Sequence, residues 1–163
     1  MHFSWRHAGG RDDAKPTDYG PLFKERNELH SHYLKENINK IKLKFRMTSV
    51  FKTRHENFFQ VHTYNNSCKT AKPPLMLVIH KGRFLAVTRG SDQLDRVRTY
   101  FGVSRKQLIG SWQDLVVSYT RVDEDHLRFN ISSGSLGINK TLPDSRVMKC
   151  GTTYVKFGIY RPS

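Results

Sequence analysis

Tyr154-Val155-Lys156-Phe157-Gly158-Ile159-Tyr160 reads as an extended strand with two unlike faces. Side chains alternate along a strand, so Tyr154, Lys156 and Tyr160 fall on one side with Gly158 between them. Val155, Phe157 and Ile159 fall on the other side and form an apolar stripe suited to a core. The polar side offers a cation and two phenols, and the glycine leaves room for a ligand to approach closely. Lys156 and Tyr160 stand roughly 13 Å apart along such a strand. Two upstream stretches have the same two-sided character, Arg26-Asn27-Glu28-Leu29-His30 and Gln60-Val61-His62. Laid side by side, the three would floor a polar groove.

The rest of the chain supplies strands to surround them. Ile41-Lys42-Leu43-Lys44-Phe45-Arg46-Met47 alternates strictly, apolar residues against cations, and predicts a strand with a solvated outer face. Phe58–Tyr64 predicts another, followed by a turn at Asn65-Asn66-Ser67. Leu75–His80 and Arg83–Thr88 flank Lys81-Gly82, a hairpin signal. Further strands are expected over Trp112–Arg121 and Leu127–Ile131, with a turn at Ser132-Ser133-Gly134. Leu94, Val97 and Phe101 recur at helical spacing and predict a short helix or lid-like insertion within 91–109. About eight strands with short turns and little helix argue for an all-β protein. Polar period-2 faces favour two stacked antiparallel sheets, and a jelly-roll sandwich with a concave groove is the expected architecture.

At 163 residues and 19.0 kDa the chain is expected to form one domain over residues 22–163, preceded by an irregular arm over 1–21 rich in Gly, Asp, His and Pro. Phe3–Arg6 is a candidate short first strand within that arm. Most of the ten Phe residues are expected in the core. Lys and Arg number 28 against 14 Asp and Glu, a net charge of +14, and such a field attracts polyanions. The cations are spread rather than blocked, so no basic tail stands out. Nucleic acid, anionic polysaccharide and acidic membrane surfaces all match the sign, and no nucleic-acid-binding motif is present. No apolar run approaches spanning length, and Met1–His7 lacks the apolar stretch of a secretory signal. Cys68 and Cys150 are too far apart for a paired metal motif; each flanks a strand of interest, and they are expected as two buried thiols, with a disulfide as the alternative.

The polar residues suit one reaction, β-elimination on a uronic-acid polysaccharide. The C5 proton beside a carboxylate is only weakly acidic while that carboxylate keeps its charge. Donors must neutralise it and stabilise the aci-carboxylate that develops, a task for Gln60 and Arg26. A base must take the proton and an acid must protonate the departing C4 oxygen, tasks that Tyr160 and His62 can share; a phenol with a pKa of about 10 serves as the base only with positive charge nearby, which Lys156 or Arg26 could supply. Organic cations can do the neutralising, so no metal and no cofactor is expected.

The ordered set Arg26-Asn27-Glu28-Leu29, Gln60-Val61-His62 and Tyr154-Val155-Lys156-Phe157-Gly158-Ile159-Tyr160 resembles the three signature strands of the jelly-roll polysaccharide lyases, the alginate lyases with the related glucuronan and heparin lyase groups. Pro73-Pro74-Leu75 through Arg83, and Gly110-Ser111-Trp112 through Val117, resemble the glucuronan and heparin lyase branch. The resemblance covers roughly residues 22–161. It implies catalytic roles for Arg26, Gln60, His62 and Tyr160 and substrate contacts from Lys156, Tyr154, Glu28 and His30. Two positions depart from the pattern: His30 stands where the alginate lyases carry a second Arg, and Asn27 where they carry Ser or Thr. The expected partner is an anionic polysaccharide such as alginate or glucuronan, cleaved endolytically by a monomer with no specific nucleic acid or membrane. Action outside the cell after lysis, or on a virus particle, would accord with the missing signal. The alternatives are a non-catalytic jelly-roll module that grips anionic glycans and, on charge alone, a nucleic-acid binder.

Overall fold

The computed structural model describes residues 3–4, 25–31, 40–47, 55–64, 72–90, 95–147 and 152–161. Its strands follow the alternation of the sequence. They are β1 (Phe3–Ser4), β2 (Glu25–Ser31), β3 (Lys40–Phe45), β4 (His55–Tyr64), β5 (Leu75–His80), β6 (Arg83–Arg89) and β7 (Arg96–Ser104). After a one-turn helix α1 (Arg105–Leu108) come β8 (Gln113–Arg121), β9 (His126–Ser133), β10 (Ile138–Thr141), β11 (Ser145–Arg146) and β12 (Thr152–Arg161). Two antiparallel sheets result. One has seven strands in the order β1-β2-β12-β4-β5-β6-β7; the other runs β10-β9-β8-β3, with β11 also paired to β9. This is a jelly-roll β-sandwich.

In β3, Ile41 and Phe45 are buried while Lys40, Lys42 and Lys44 are exposed, so the alternating stretch presents its cations to solvent. Between the sheets Phe45 of β3 meets Phe58 of β4 with ring centroids 5.4 Å apart, and Phe58 meets Phe84 of β6 at 5.4 Å. Phe157 of β12 approaches Phe45 edge-on at 6.4 Å. The contacts to Phe45 tie β4 and β12 to the opposite sheet by buried aromatic area and ring geometry, and Phe84 extends the cluster within the seven-stranded sheet. Strands β5 and β6 are buried on both sides. Leu75, Leu77, Ile79, Phe84 and Ala86 belong to the main core, whereas Met76, Val78, Leu85 and Val87 form a second apolar cluster on the opposite face. That explains why LMLVI reads as a continuous apolar run.

The turn from β5 to β6 has φ of 49° at Lys81 and 75° at Gly82. Positive φ at both central residues matches the twist of a two-residue hairpin, and glycine adopts it without a Cβ penalty. One expectation fails. The helical spacing within 91–109 gives way to β7, and among the described residues of that stretch only Arg105–Leu108 is helical. Residues 96–103 alternate in exposure along the edge of the sheet, and Val97 and Phe101, four apart, share a face in either conformation. The turn foreseen at residues 132–134 starts later, since Ser132 and Ser133 close β9. The Asn65-Asn66-Ser67 turn, Cys68 and Cys150, and the arm apart from β1, lie outside the described residues.

Candidate active site

The topology brings the three polar stretches together. β12 lies between β2 and β4, although β2 and β4 come early in the chain and β12 late. Direct cross-strand partners in an antiparallel pair occupy one face of the sheet. Arg26 is the partner of Tyr160, and Tyr160 is also the partner of Asn57. Lys156 pairs with His30 on one side and Gln60 on the other. Tyr154 pairs with His62, and Glu28 with Gly158. By register, all eight residues singled out in the sequence occupy one face of three adjacent strands.

Two irregularities shape that face. β4 carries an extra residue relative to β5, because Asn57 pairs with Val78 while Phe59 pairs with Leu77. At this bulge both Phe58 and Phe59 enter the core. The parity of β4 therefore flips, and Asn57 joins Gln60 and His62 opposite the core although it stands an odd three positions from Gln60. The second shift lies in β12 between Phe157 and Tyr160, where Gly158 has φ of 144°. Glycine is the residue that holds such a backbone without strain.

Gln60 is buried, and His62 is half-buried. His62 Nε2–H donates to Gln60 Oε1 at 3.0 Å. With Nε2 carrying the hydrogen, the neutral imidazole keeps its lone pair on Nδ1. The His62 ring stacks on Tyr154 with centroids 5.0 Å apart and planes inclined by 9°. Lys156 Nζ lies 6.0 Å from the centre of the Tyr154 ring, at the outer reach of a cation–π contact. The tyrosine thereby orients the imidazole from one side and holds an ammonium nearby.

Both rows of side chains continue across the sheet. From Asn57 the register runs through Val78 and Leu85 to Tyr100, and from Gln60 through Met76 and Val87 to Arg98. The face thus passes from polar strands over an apolar strip to an edge carrying exposed Tyr100 and Arg98. Arg89 and Arg96 pair at the same end. Arg89 is buried, its Nε donates to Pro73 O, and burial followed by Arg96 lowers its pKa, which marks a structural guanidinium. Further along β4, His55 Nδ1 and His80 Nδ1 are 3.2 Å apart and share a hydrogen bond. Burial and then the neighbouring His80 lower the pKa of His55; burial and then Arg98 lower that of His80. Among the described residues no group of three or more His, Cys, Asp or Glu is gathered to hold a metal ion, and no helix is long and apolar enough to cross a membrane.

Asn57 is the site-facing residue that the sequence did not reveal. Period-2 counting from Gln60 assigns it to the core side, and only the bulge returns it to the groove. Its signal would have been the doublet Phe58-Phe59, two adjacent large apolar residues in an otherwise alternating strand.

No family model matches the chain, and no curated protein does. Solved structures do. Alginate lyase A1-II′ of polysaccharide lyase family 7 is 16% identical, with 83% of this chain and 61% of that chain covered and a TM-score of 0.52. An alginate lyase from Pseudomonas aeruginosa is 17% identical over 83% of this chain and 64% of that one, with a TM-score of 0.57. An endo-β-1,4-glucuronan lyase from the fungus Trichoderma reesei is 10% identical, with coverage of 98% and 83% and a TM-score of 0.52. The chain has a polysaccharide-lyase-like jelly-roll fold. It spans less than two thirds of the length of the two alginate lyases.

Proposed function

We propose that this protein is a lyase that cleaves an anionic, uronate-containing polysaccharide by endolytic β-elimination. The observation that carries the reading is the Gln60–His62 hydrogen bond of 3.0 Å on the strand beside β12, whose register sets Tyr160 opposite Arg26. By register Gln60, His62, Arg26 and Tyr160 then fall on one face, and those residue types are the set the chemistry requires.

In this reading Arg26 and the Gln60 amide N–H group hold the uronate carboxylate. Their hydrogen bonds strengthen as charge moves onto it from C5, so they stabilise the transition state more than the bound substrate. His62 Nδ1 takes the C5 proton. The C4–O4 bond breaks as the C4–C5 double bond forms, and Tyr160 gives its phenolic proton to O4. A phenol with an ordinary pKa of about 10 is protonated at neutral pH, which suits an acid. Exchange with water returns His62 and Tyr160 to their starting states. Lys156, Tyr154, Glu28 and His30 bind the polymer around this centre, and the +14 charge concentrates it. Further support comes from the structural neighbours. Alginate lyase A1-II′ was solved with substrate as a variant with one His→Asn and one Tyr→Phe substitution, and with product as a Tyr→Phe variant.

The test is a panel of polyuronates, alginate, glucuronan and heparinoids among them, followed by the ultraviolet absorbance of the new C4–C5 double bond. The wild type produces the signal on at least one polymer, and Tyr160→Phe loses it while keeping the fold. Turnover surviving in Tyr160→Phe would refute the acid assignment. Binding with no unsaturated product from any polymer would leave a carbohydrate-binding module instead.

A further inference from the structure

The outer face of the five-stranded sheet, across the sandwich from the candidate site, carries charge that the fold leaves unused. The alternation of β3 sends Lys40, Lys42 and Lys44 outward, and Arg46 continues the row just past the end of the strand. All four are exposed, and at every second position they span roughly 20 Å. The acids of this face are committed elsewhere. Asp114 is the register partner of Lys44, but its carboxylate accepts the backbone N–H groups of Gly134 at 3.0 Å and Ser135 at 2.8 Å. The Ser135 hydroxyl, followed by those two N–H groups, holds its pKa down at about 2, so it stays tied to the turn between β9 and β10. Asp144 accepts from Arg128 Nε at 2.7 Å and from Arg128 Nη2 at 2.8 Å. Lys40, Lys42, Lys44 and Arg46 form no ion pair among the described residues. Beside this row Trp112 is 58% exposed, the most exposed large apolar side chain described, and the Arg46 guanidinium lies 5.6 Å from its ring centre.

Edge strands carry lysine to prevent stray pairing, and that role accounts for the charge. It gives no reason to leave an indole in water at the end of the row. We propose that this face is a second binding surface for an acidic polysaccharide, whose anionic groups lie along the lysine row while a sugar ring stacks on Trp112. The ligand class rests on the lyase reading; the surface itself goes beyond it. An ammonium on a flexible stem is a point charge that takes an anion from many directions, so the row reads charge and not linkage. The indole face adds the apolar contact that a pyranose ring offers and a simple anion does not. A long polymer held here keeps its other segments at high local concentration around the molecule, where the groove on the far side can take them. Short oligosaccharides gain nothing from it.

The test separates this face from the groove. Lys40→Gln, Lys42→Gln and Lys44→Gln are combined in one variant and Trp112→Ala is made in another, each in the wild type and in a Tyr160→Phe background that holds polymer without cleaving it. The positions are exposed, so the thermal midpoints stay close to those of the parents. Affinity for a long polyuronate falls about tenfold in the lysine variant, with a shallower dependence on salt. In Trp112→Ala it falls by about threefold with the salt dependence retained. With Tyr160 intact, kcat/KM drops on the long polymer and is unchanged on a short oligouronate. Variants that bind the polymer like their parents overturn the proposal. So does an equal loss on the short oligouronate, which would assign the effect to the groove. A lysine-variant loss that is the same on duplex DNA, with Trp112→Ala without effect, also overturns it and leaves a general polyanion surface. A wild type that binds polyuronates and cleaves none overturns the lyase reading alone, and the binding comparison still decides this inference. A wild type that binds none overturns both.

Discussion

His62 donates its Nε2 hydrogen to Gln60 Oε1 across 3.0 Å, two residues away on the same strand face. The contact fixes the tautomer of the imidazole, and under the proposed lyase reading it joins two roles, carboxylate neutraliser and base, in one unit. Gln60→Ala should lower kcat by about 10²–10³-fold, the usual cost of a lost donor at a developing anion. Gln60→Glu is more diagnostic. A carboxylate beside His62 stabilises the imidazolium and raises its pKa, so the acidic limb of the kcat/KM profile moves to higher pH. A profile that keeps its position in Gln60→Glu would remove His62 from the role of base.

Gly158, opposite Glu28 on β2, holds φ of 144° where β12 shifts register against β4. Gly158→Ala should cost about 1–3 kcal/mol, because a Cβ is strained at that angle. Activity should fall further than stability alone explains, since relaxing the bulge moves Tyr160 off its register with Arg26 and Asn57. Chemical denaturation together with a uronate turnover assay separates the two effects.

The His55–His80 pair predicts a pH dependence of folding. Both imidazoles have pKa values below the unfolded value of 6.5, from burial first in each, then His80 for His55 and Arg98 for His80. The unfolded chain therefore binds protons before the folded protein does. This contribution is fully present above pH 6.5, declines as pH falls through that value and levels off once the folded pair also protonates. Replacing both residues by glutamine should flatten the fall in thermal midpoint on acidification relative to the wild type. An unchanged pH slope would show that the pair takes up its protons freely when folded.

Lys81 occupies positive φ in the β5–β6 turn, a region where asparagine is more at ease. Lys81→Asn should stabilise the protein by about 0.5–1 kcal/mol without touching the proposed site, measured by denaturant midpoint at constant slope.

Much of the fold could be read because the sandwich is built from alternation. Lys40–Phe45 and Thr152–Arg161 each carry an apolar stripe and a polar one; Ile41 and Phe45 are buried between exposed lysines, and Val155 is buried between half-buried Tyr154 and Lys156. What escaped depends on information outside any single strand. The order β2-β12-β4 is a property of the whole topology, and the residue types alone did not specify it. The bulge at Asn57–Phe59 breaks the count of two on which face assignment rests, and Asn57 was hidden for that reason. At β7 the error had another source: Val97 and Phe101 are four apart, a spacing that satisfies both helix and strand, while the neighbouring Arg96, Arg98 and Tyr100 mark the solvent side of a sheet edge. Arg26, Gln60, His62 and Tyr160 stood out because each is a chemically useful group on a strand with an apolar reverse side. Their pairing across strands required coordinates.

The insertion of β12 between β2 and β4 has a consequence for how the molecule comes into being. During translation β2 and β4 emerge long before β12, and until it arrives they face an unfilled slot with two open hydrogen-bonding edges. Such edges invite pairing with other chains. Under the lyase reading the nascent polypeptide is also inert, because Arg26 and Gln60 share no neighbour until that slot is filled. Clipping the strand out by a protease would disarm the protein and make it prone to aggregate in the same event.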